Sequence, residues 1–315
     1  MKKLVAIIVG GTGQFGIITS KFLLKKNYKV IITSRSITKK KLFQKNKNLN
    51  FFKLNIYSEK KIRDLLINIK PNIIFYYAAQ SSVAKSFFKK KETFKSIVTG
   101  CKNFLKIINE TKLNCKFVNA ASSEMFGKIK NEIDVETIKR PVSPYGYSKL
   151  KSFEITKKYR QKYNINSYNA IIFNTESYFR DKSYLIPKIC FAAINAKKYN
   201  SKTKFGNLNV SREWNWCDEQ VKYLLKFIQK KPQDFILSNG KSFSALQMLK
   251  FAFKYFNLDY RKYIILNNKK YLRNKEIMEK KSNYIKCLKR NKINRLNSIF
   301  GEKIIKKLIR YYLKR

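Results

Sequence analysis

The 315-residue chain contains no histidine. That excludes histidine-based triads, histidine metal sites and histidine pH switches together. Acidic residues are scarce: 19 Asp and Glu stand against 70 Lys and Arg, a formal net charge of +51. The five cysteines (Cys101, Cys115, Cys190, Cys217, Cys287) are scattered and form no CxxC pair. Neither a disulfide framework nor a structural zinc is expected, and a reduced setting fits. No apolar run is long enough for a membrane span. The opening stretch Leu4–Val9 runs straight into glycines, too short for the apolar core of a signal peptide, so a soluble, cytoplasmic protein is expected.

What is present supports a packed enzyme-like chain. Apolar residues make up 44% and aromatics 15%, enough to bury a sizeable core. The length suggests about two domains. Lysines are spread along the whole chain among Asn, Ile, Phe and Tyr, the mixture an AT-rich coding sequence imposes. A nucleic-acid footprint would be a localised patch or a recognisable module. The surface therefore reads as solvated lysine with no nucleic-acid partner, though its charge favours anionic small molecules such as nucleotides.

Short β-rich runs alternate with longer amphipathic ones in the first half. Strands are expected at Leu4–Val9, Lys29–Thr33, Leu49–Leu54, Ile73–Ala78, Lys116–Ala121 and Tyr168–Phe173, with helices near Gln14–Lys26, Glu59–Lys70, Phe87–Glu110 and Pro144–Tyr163. This alternation predicts an α/β fold, a doubly wound parallel sheet with helices on both faces. After Asn174 the pattern breaks into short mixed elements and a Lys-rich helical tail over Glu302–Arg315. The expected organisation is a nucleotide-binding domain over 1–173, with a return of the chain near 208–222, and a smaller mixed α/β substrate domain over 174–315.

Only ten glycines occur, and four of them, Gly10, Gly11, Gly13 and Gly16, fall within seven residues. They follow a buried-type strand and open a helix in the order Gly10-x-x-Gly13-x-x-Gly16. Glycine there permits a tight turn and close backbone approach to a pyrophosphate seated at the positive helix N-terminus. A bare β–α turn could carry the same pattern, but the strand–turn–helix context and glycine-poor background favour a Rossmann-type dinucleotide site. The second strand ends in Thr33-Ser34-Arg35-Ser36, with no acid to bind a ribose 2′-hydroxyl. A guanidinium among hydroxyls suits a 2′-phosphate, so NADP is expected over NAD.

Tyr145 and Lys149 lie four apart at the start of a candidate helix, so they share one face. An ammonium near a phenol favours the phenolate, and such a tyrosine can act as a base towards an alcohol. Tyr-x-x-x-Lys alone carries little in a chain with 20 tyrosines. The order carries more: glycine loop, then Ser122-Ser123-Glu124 at a strand end, then Tyr-x-x-x-Lys on the next helix. Ser122 and Glu124, two apart on an extended strand end, would face the same side.

These residues resemble the extended short-chain dehydrogenase/reductase family, and within it the GDP-mannose 4,6-dehydratases. The stretches that carry the resemblance are Gly-Gly-Thr-Gly-Gln-Phe-Gly (10–16), Ala-Ala-Gln-Ser-Ser-Val-Ala-Lys-Ser-Phe (78–87) and Ala-Ser-Ser-Glu-Met-Phe-Gly (121–127). Ser-Pro-Tyr-Gly-Tyr-Ser-Lys (143–149), Phe-Asn-Thr-Glu-Ser (173–177), Gly-Asn-Leu (206–208) and Arg-Glu-Trp (212–214) follow in order. Weaker echoes run over 272–276 and 282–286. The resemblance implies that Tyr145 removes the proton of a sugar 4-hydroxyl, Ser122 hydrogen-bonds the 4-oxygen, Glu124 abstracts the C5 proton and Lys149 supports the tyrosine. It places Gly10, Thr12, Gly13, Gln14, Gly16, Arg35, Asn55, Ile56, Ala79, Gln80, Lys149 and Arg180 at NADP. It places Asn174, Glu176, Lys188, Asn207, Arg212, Arg273 and Glu276 around a GDP-mannose-like nucleotide sugar, with no metal. Assembly as a homodimer or tetramer is implied too.

The chain departs from the family pattern at several points. Asn55 stands for an acid, Thr175 and Ser82 stand for histidines, Glu213 for an aspartate, Asn215-Trp216 for Gly-His, and Arg180 is single where arginines are paired. These changes fall on binding loops, not on Ser122, Glu124, Tyr145 or Lys149. Other readings are a nucleotide-sugar reductase or epimerase, which needs no C5 base, a binding protein without turnover, and a polyanion binder.

Overall fold

Six of the seven strands in the main sheet arise where hydrophobic runs end in turn signals. The computed structural model describes residues 3–36, 38–129, 131–266, 281–295 and 299–314. In chain order the first half forms β1 (Val5–Val9), α1 (Gln14–Lys25), β2 (Lys29–Ser34), β3 (Leu49–Lys53), α2 (Glu59–Ile69) and β4 (Ile73–Tyr76). There follow α3 (Val83–Phe88), α4 (Lys90–Phe94), α5 (Gly100–Glu110), β5 (Lys116–Ser122), α6 (Pro144–Tyr163) and β6 (Ser167–Ile172). The second half forms β7 (Thr175–Glu176), α7 (Leu185–Tyr199), β8 (Thr203–Phe205), β9 (Ser211–Arg212), β10 (Asn215–Trp216), α8 (Cys217–Phe227) and β11 (Asp234–Leu237). It closes with β12 (Phe243–Ser244), α9 (Ala245–Lys254), β13 (Ile264–Leu266), α10 (Tyr284–Arg290) and α11 (Glu302–Leu313).

The main sheet runs β11-β6-β5-β4-β1-β2-β3, and every neighbouring pair is parallel. Along β1, Ala6 and Ile8 enter the core on one face while Ile7 and Val9 enter the core on the other. Both faces are apolar because helices cover both, which is why alternation is weak in the sequence. Strand order reverses between β1 and β4, so the crevice at their carboxyl ends is the place a parallel sheet offers to a ligand.

β11 was not foreseen from sequence. Four apolar-leaning residues between Lys-Lys-Pro-Gln and Ser-Asn-Gly join the sheet edge beside β6. Asp234 at its start receives hydrogen bonds from Arg160 (2.7 Å) and Asn169 (2.9 Å), and Phe235 stacks on Phe227 of α8 at 4.3 Å. Residues Tyr223–Leu237 and Tyr284–Ile293 thus pack into the sheet's own core. A second core gathers α7, α9 and α11 around Trp214, Trp216 and Met248. The single helix expected over Phe87–Glu110 is broken. α3 starts earlier and ends at Phe88, Lys89 turns out of helical geometry, and residues Lys95–Thr99 form a wide π-type turn ahead of α5. That turn lets the Ser96 carbonyl accept from the Tyr76 hydroxyl at 2.7 Å. Among the described residues, no helix is long and apolar enough to cross a membrane.

Gly10 closes the first β–α turn at φ +74°, and a Cβ there would lie 2.6 Å from the Ala78 amide nitrogen. Both strain and collision therefore oppose any side chain. Gly10→Ala is expected to lower stability by about 1–3 kcal/mol, read as a lower urea midpoint with an unchanged slope.

Candidate active site

A cleft of about 1820 Å³ opens between the carboxyl ends of the sheet and the second core. Pockets for small ligands run to roughly 300–1,000 Å³, so this cleft has room for two nucleotide-sized molecules. Among the described residues, no cluster of His, Cys, Asp or Glu could hold a metal ion.

One end is built by the glycine loop. Gly10, Thr12, Gly13, Gln14 and Gly16 all line it. Gly13 caps α1 without any side-chain hydrogen bond, and the first turn carries no acid. A Cβ on Gly13 would meet nothing nearer than the Gly10 carbonyl at 3.6 Å. The helix N-terminus is thus left open towards the cleft, the arrangement a pyrophosphate needs. The loop's bare backbone, together with Arg35, fits a nicotinamide dinucleotide. Gln14 does more than line the wall: its amide donates to the Thr175 carbonyl (3.1 Å) and accepts from the Ser177 hydroxyl (2.9 Å). It staples the glycine loop to the segment carrying Asn174 and Glu176.

At the outer edge Arg35 is exposed, 3.7 Å from Glu92, and the Thr12 and Ser34 hydroxyls are 3.3 Å apart. Ile56 and Ala79 line the wall, whereas Asn55 and Gln80 do not. The Asn55 side chain accepts from the Tyr57 amide (3.0 Å). Gln80 accepts from the Ser82 amide and donates to the Ser82 carbonyl and the Thr93 hydroxyl, knitting its own loop.

Ser122, Glu124, Tyr145 and Lys149 line the middle of the cleft together. β5 ends at Ser122, whose hydroxyl accepts from the Glu124 amide (3.2 Å) and is hydrogen-bonded to the Tyr145 phenol. Glu124 sits on a single 3₁₀ turn, Ser123–Phe126. The start of α6 presses on that turn so closely that a Cβ on Gly146 would lie 2.5 Å from the Glu124 carbonyl. Glycine between Tyr145 and Tyr147 was a signal the sequence held and the motif reading passed over. The Ser143 hydroxyl caps α6 by accepting from the Gly146 amide (3.0 Å), and Ser86 accepts from the Tyr145 amide (3.2 Å).

The expected lowering of the Tyr145 phenol by Lys149 is not found. Burial pushes the phenol up to about 12, against the pull of Ser122 and, more weakly, Arg180. Burial likewise brings the Lys149 ammonium down to about 8. Its Nζ donates to the Ala120 carbonyl and stands 5.8 Å from the centre of the Tyr145 ring. Desolvation penalises both charged forms and is the largest cause of each shift.

The far end is lined by Asn174, Glu176, Lys188, Asn207 and Arg212. The Asn174 carbonyl accepts from the Asn215 backbone (2.8 Å) and side chain (2.9 Å). Lys188 donates to the Lys204 carbonyl (2.6 Å) with its ammonium 4.6 Å over the Phe205 ring. The Asn207 side chain accepts from the Asn209 amide, and the buried Arg212 donates to the Ser211 carbonyl. Arg180 lines the cleft with its guanidinium carbon 3.7 Å from the centre of the Tyr184 ring. Arg273 and Glu276 lie outside the described residues. Sequence reasoning missed Tyr184, whose hydroxyl reaches Ser81 (2.9 Å) across the cleft, and Phe87, Tyr260 and Arg261 on the wall. It also missed the weight of Glu213. That carboxylate is buried and accepts from the Ser238 hydroxyl, the Gly240 amide (3.0 Å) and both the amide (2.6 Å) and hydroxyl (2.7 Å) of Ser282.

Comparison with known proteins gives a consistent result. A family model described as GDP-mannose 4,6 dehydratase matches residues 7–298. GDP-mannose 4,6 dehydratase 1 of Arabidopsis thaliana is 30% identical over 291 residues, covering 87% of this chain and 80% of that one. GDP-mannose 4,6-dehydratase of Vibrio cholerae serotype O1 is 29% identical over 79% of this chain and 71% of its own length. Among solved structures, dTDP-glucose 4,6-dehydratase DesIV of Streptomyces venezuelae, with NAD and TYD bound, superposes with a TM-score of 0.87 at 16% identity, covering 99% of this chain and 98% of that one. UDP-glucose 4-epimerase of Thermotoga maritima, with UDP-glucose, gives 0.85 at 18% identity, covering 99% of each chain. At these identities the superpositions show the fold alone.

Proposed function

The chain belongs to the GDP-mannose 4,6-dehydratase family, and from that premise we propose that it converts GDP-mannose to GDP-4-keto-6-deoxymannose with loss of water. It is a hydro-lyase with a nicotinamide cofactor. The observation that carries the reading is the convergence of Ser122, Glu124, Tyr145 and Lys149 in the cleft that the glycine loop opens into. When bound, the nicotinamide accepts hydride from C4 of the hexose and returns it at C6. Tyr145 takes the proton of the 4-hydroxyl while the Ser122 hydroxyl donates to the 4-oxygen. The resulting 4-ketone acidifies the neighbouring C5–H, and Glu124 abstracts that proton. The same carboxyl then delivers it to the departing C6 hydroxyl, which leaves as water, and the exchangeable proton Tyr145 took from the 4-hydroxyl goes to C5 as C6 is reduced. A reductase or epimerase needs no second base, so Glu124 beside Tyr145 favours the dehydratase.

The glycine loop, Arg35, Ile56, Ala79, Lys149 and Arg180 would hold the cofactor. Asn174, Glu176, Lys188, Asn207 and Arg212 would hold the nucleotide sugar, with Arg273 and Glu276 carried by the family match alone. Asn55 and Gln80 would contribute by shaping loops. A dinucleotide domain over 1–173, to which the chain returns through α8, β11 and α10, with a substrate domain in the rest of 174–315, is proposed with it, as is assembly into dimers or tetramers. Incubation with GDP-mannose and catalytic NADP+, with product mass and NMR, tests the reading: the product lacks one water and no reduced cofactor accumulates. A product with its water intact would contradict it.

NADP is preferred because Arg35 stands at the end of β2 among hydroxyls, with no carboxylate on that strand end. A charge-assisted contact to a 2′-phosphate is worth about 1.5–3 kcal/mol. Arg35→Ala is therefore expected to weaken NADP+ roughly ten-fold or more and to leave NAD+ within about two-fold, by fluorescence titration. Equal weakening of both would favour NAD.

A further inference from the structure

β7 carries a carboxylate that moves no proton in the scheme above. Glu176 is 2% exposed yet lines the cleft. Among the described residues its Oε2 has no hydrogen-bond partner, and neither has the buried Nε of Arg180, 3.9 Å away. Arg180 in turn reaches the cleft wall, with 21% of its side chain exposed. The other titratable groups facing Glu176 are the Cys190 thiol of α7, the Cys217 thiol of α8 and the Tyr312 phenol of α11. Burial raises all three, so they are neutral near pH 7. Arg180 is then the charge that compensates this carboxylate.

We infer that Glu176 is a positioning residue acting through Arg180: ionised, it draws the guanidinium to the cleft floor, and it takes up a proton from solvent when a pyrophosphate claims that guanidinium. This rests on the reading of the cleft as a nucleotide site. A buried carboxylate that loses its only counter-charge is neutralised instead of being left ionised. Burial already holds Glu176 up to about 7, with Arg180 pulling it down. Small changes at Arg180 are therefore translated into protonation in the neutral range. Only the O–H bond of the carboxyl is made, and the proton comes from the buffer.

The test is calorimetric titration of the full chain with NAD+ and, separately, with GDP-mannose, in two buffers of different ionisation heat. Both ligands are pyrophosphate diesters that do not themselves titrate near neutrality. With at least one of them, uptake of about half a proton at pH 7 is expected, with affinity falling about three-fold between pH 7 and pH 8. The ligand that shows it identifies which pyrophosphate Arg180 meets. Glu176→Gln should bind with no proton uptake and a flat pH profile. Arg180→Gln should also take up none, its neighbour being protonated beforehand. A merely structural Glu176 would weaken binding at every pH and leave no proton signal to lose. Binding heats independent of buffer in the wild-type chain, or uptake retained in Glu176→Gln, would overturn the inference alone. Binding of neither ligand would overturn it together with the nucleotide reading.

Discussion

Glu124→Gln is expected to lower dehydration by about 10²–10⁴-fold, the usual weight of a positioned acid–base group, while NADP+ and GDP-mannose still bind within a few-fold. Glutamine keeps the shape and the backbone contact to the Ser122 hydroxyl but cannot accept the C5 proton. The step before it does not need the carboxylate. Rapid quenching should therefore find protein-bound 4-keto hexose that still carries its 6-hydroxyl, and no solvent deuterium should enter C5. Wild-type turnover in this variant would remove Glu124 from the scheme and leave only the oxidation chemistry.

Tyr145→Phe acts one step earlier and should lose about 10³-fold or more in turnover, with no 4-ketone detected at all. The two variants are thus separated by what accumulates, not by rate alone. The ligand-free chain keeps the phenol up to about 12 and Lys149 down to about 8. Tyr145 is consequently protonated at neutral pH until positive charge enters the cleft. Phenylalanine gives up the hydrogen bond between Ser122 and the phenol but keeps the ring and the Ser86 contact to its backbone. Affinity for NADP+ should accordingly stay within a few-fold. Activity near wild type would make the tyrosine a wall residue and shift the base elsewhere.

What the sequence made legible was what repeats locally. Strand and helix periods, the glycine cluster and the order Ser-Ser-Glu before Tyr-x-x-x-Lys all act within a few residues, and they located the sheet and the four central side chains. β11 was hidden because four residues carry too little pattern, and its place depends on Arg160 and Asn169, more than sixty residues away in sequence. The break in the helix expected over Phe87–Glu110 was hidden because a π turn changes hydrogen bonding without changing composition. The direction of the Tyr145 and Lys149 shifts depends on burial, which a spacing of four cannot reveal. Gln14 and Glu213 show the same limit. Each was noticed as a motif letter, yet the physical role of each is a tie between segments far apart in the chain. The binding-loop departures also look different in space. Thr175, standing for a histidine, is buried and donates to the Phe173 carbonyl at 2.9 Å while its own carbonyl accepts from Gln14, so the loop is still held to the glycine turn.

The central claim is that one hydrogen leaves C4 of the hexose and reappears on C6 of the same ring while water is lost. Turnover of GDP-mannose deuterated at C4, followed by NMR of the product, reads this directly. The account predicts deuterium in the new C6 methyl group and a hydrogen from solvent at C5. Deuterium remaining at C4, or washed out into solvent, would contradict it.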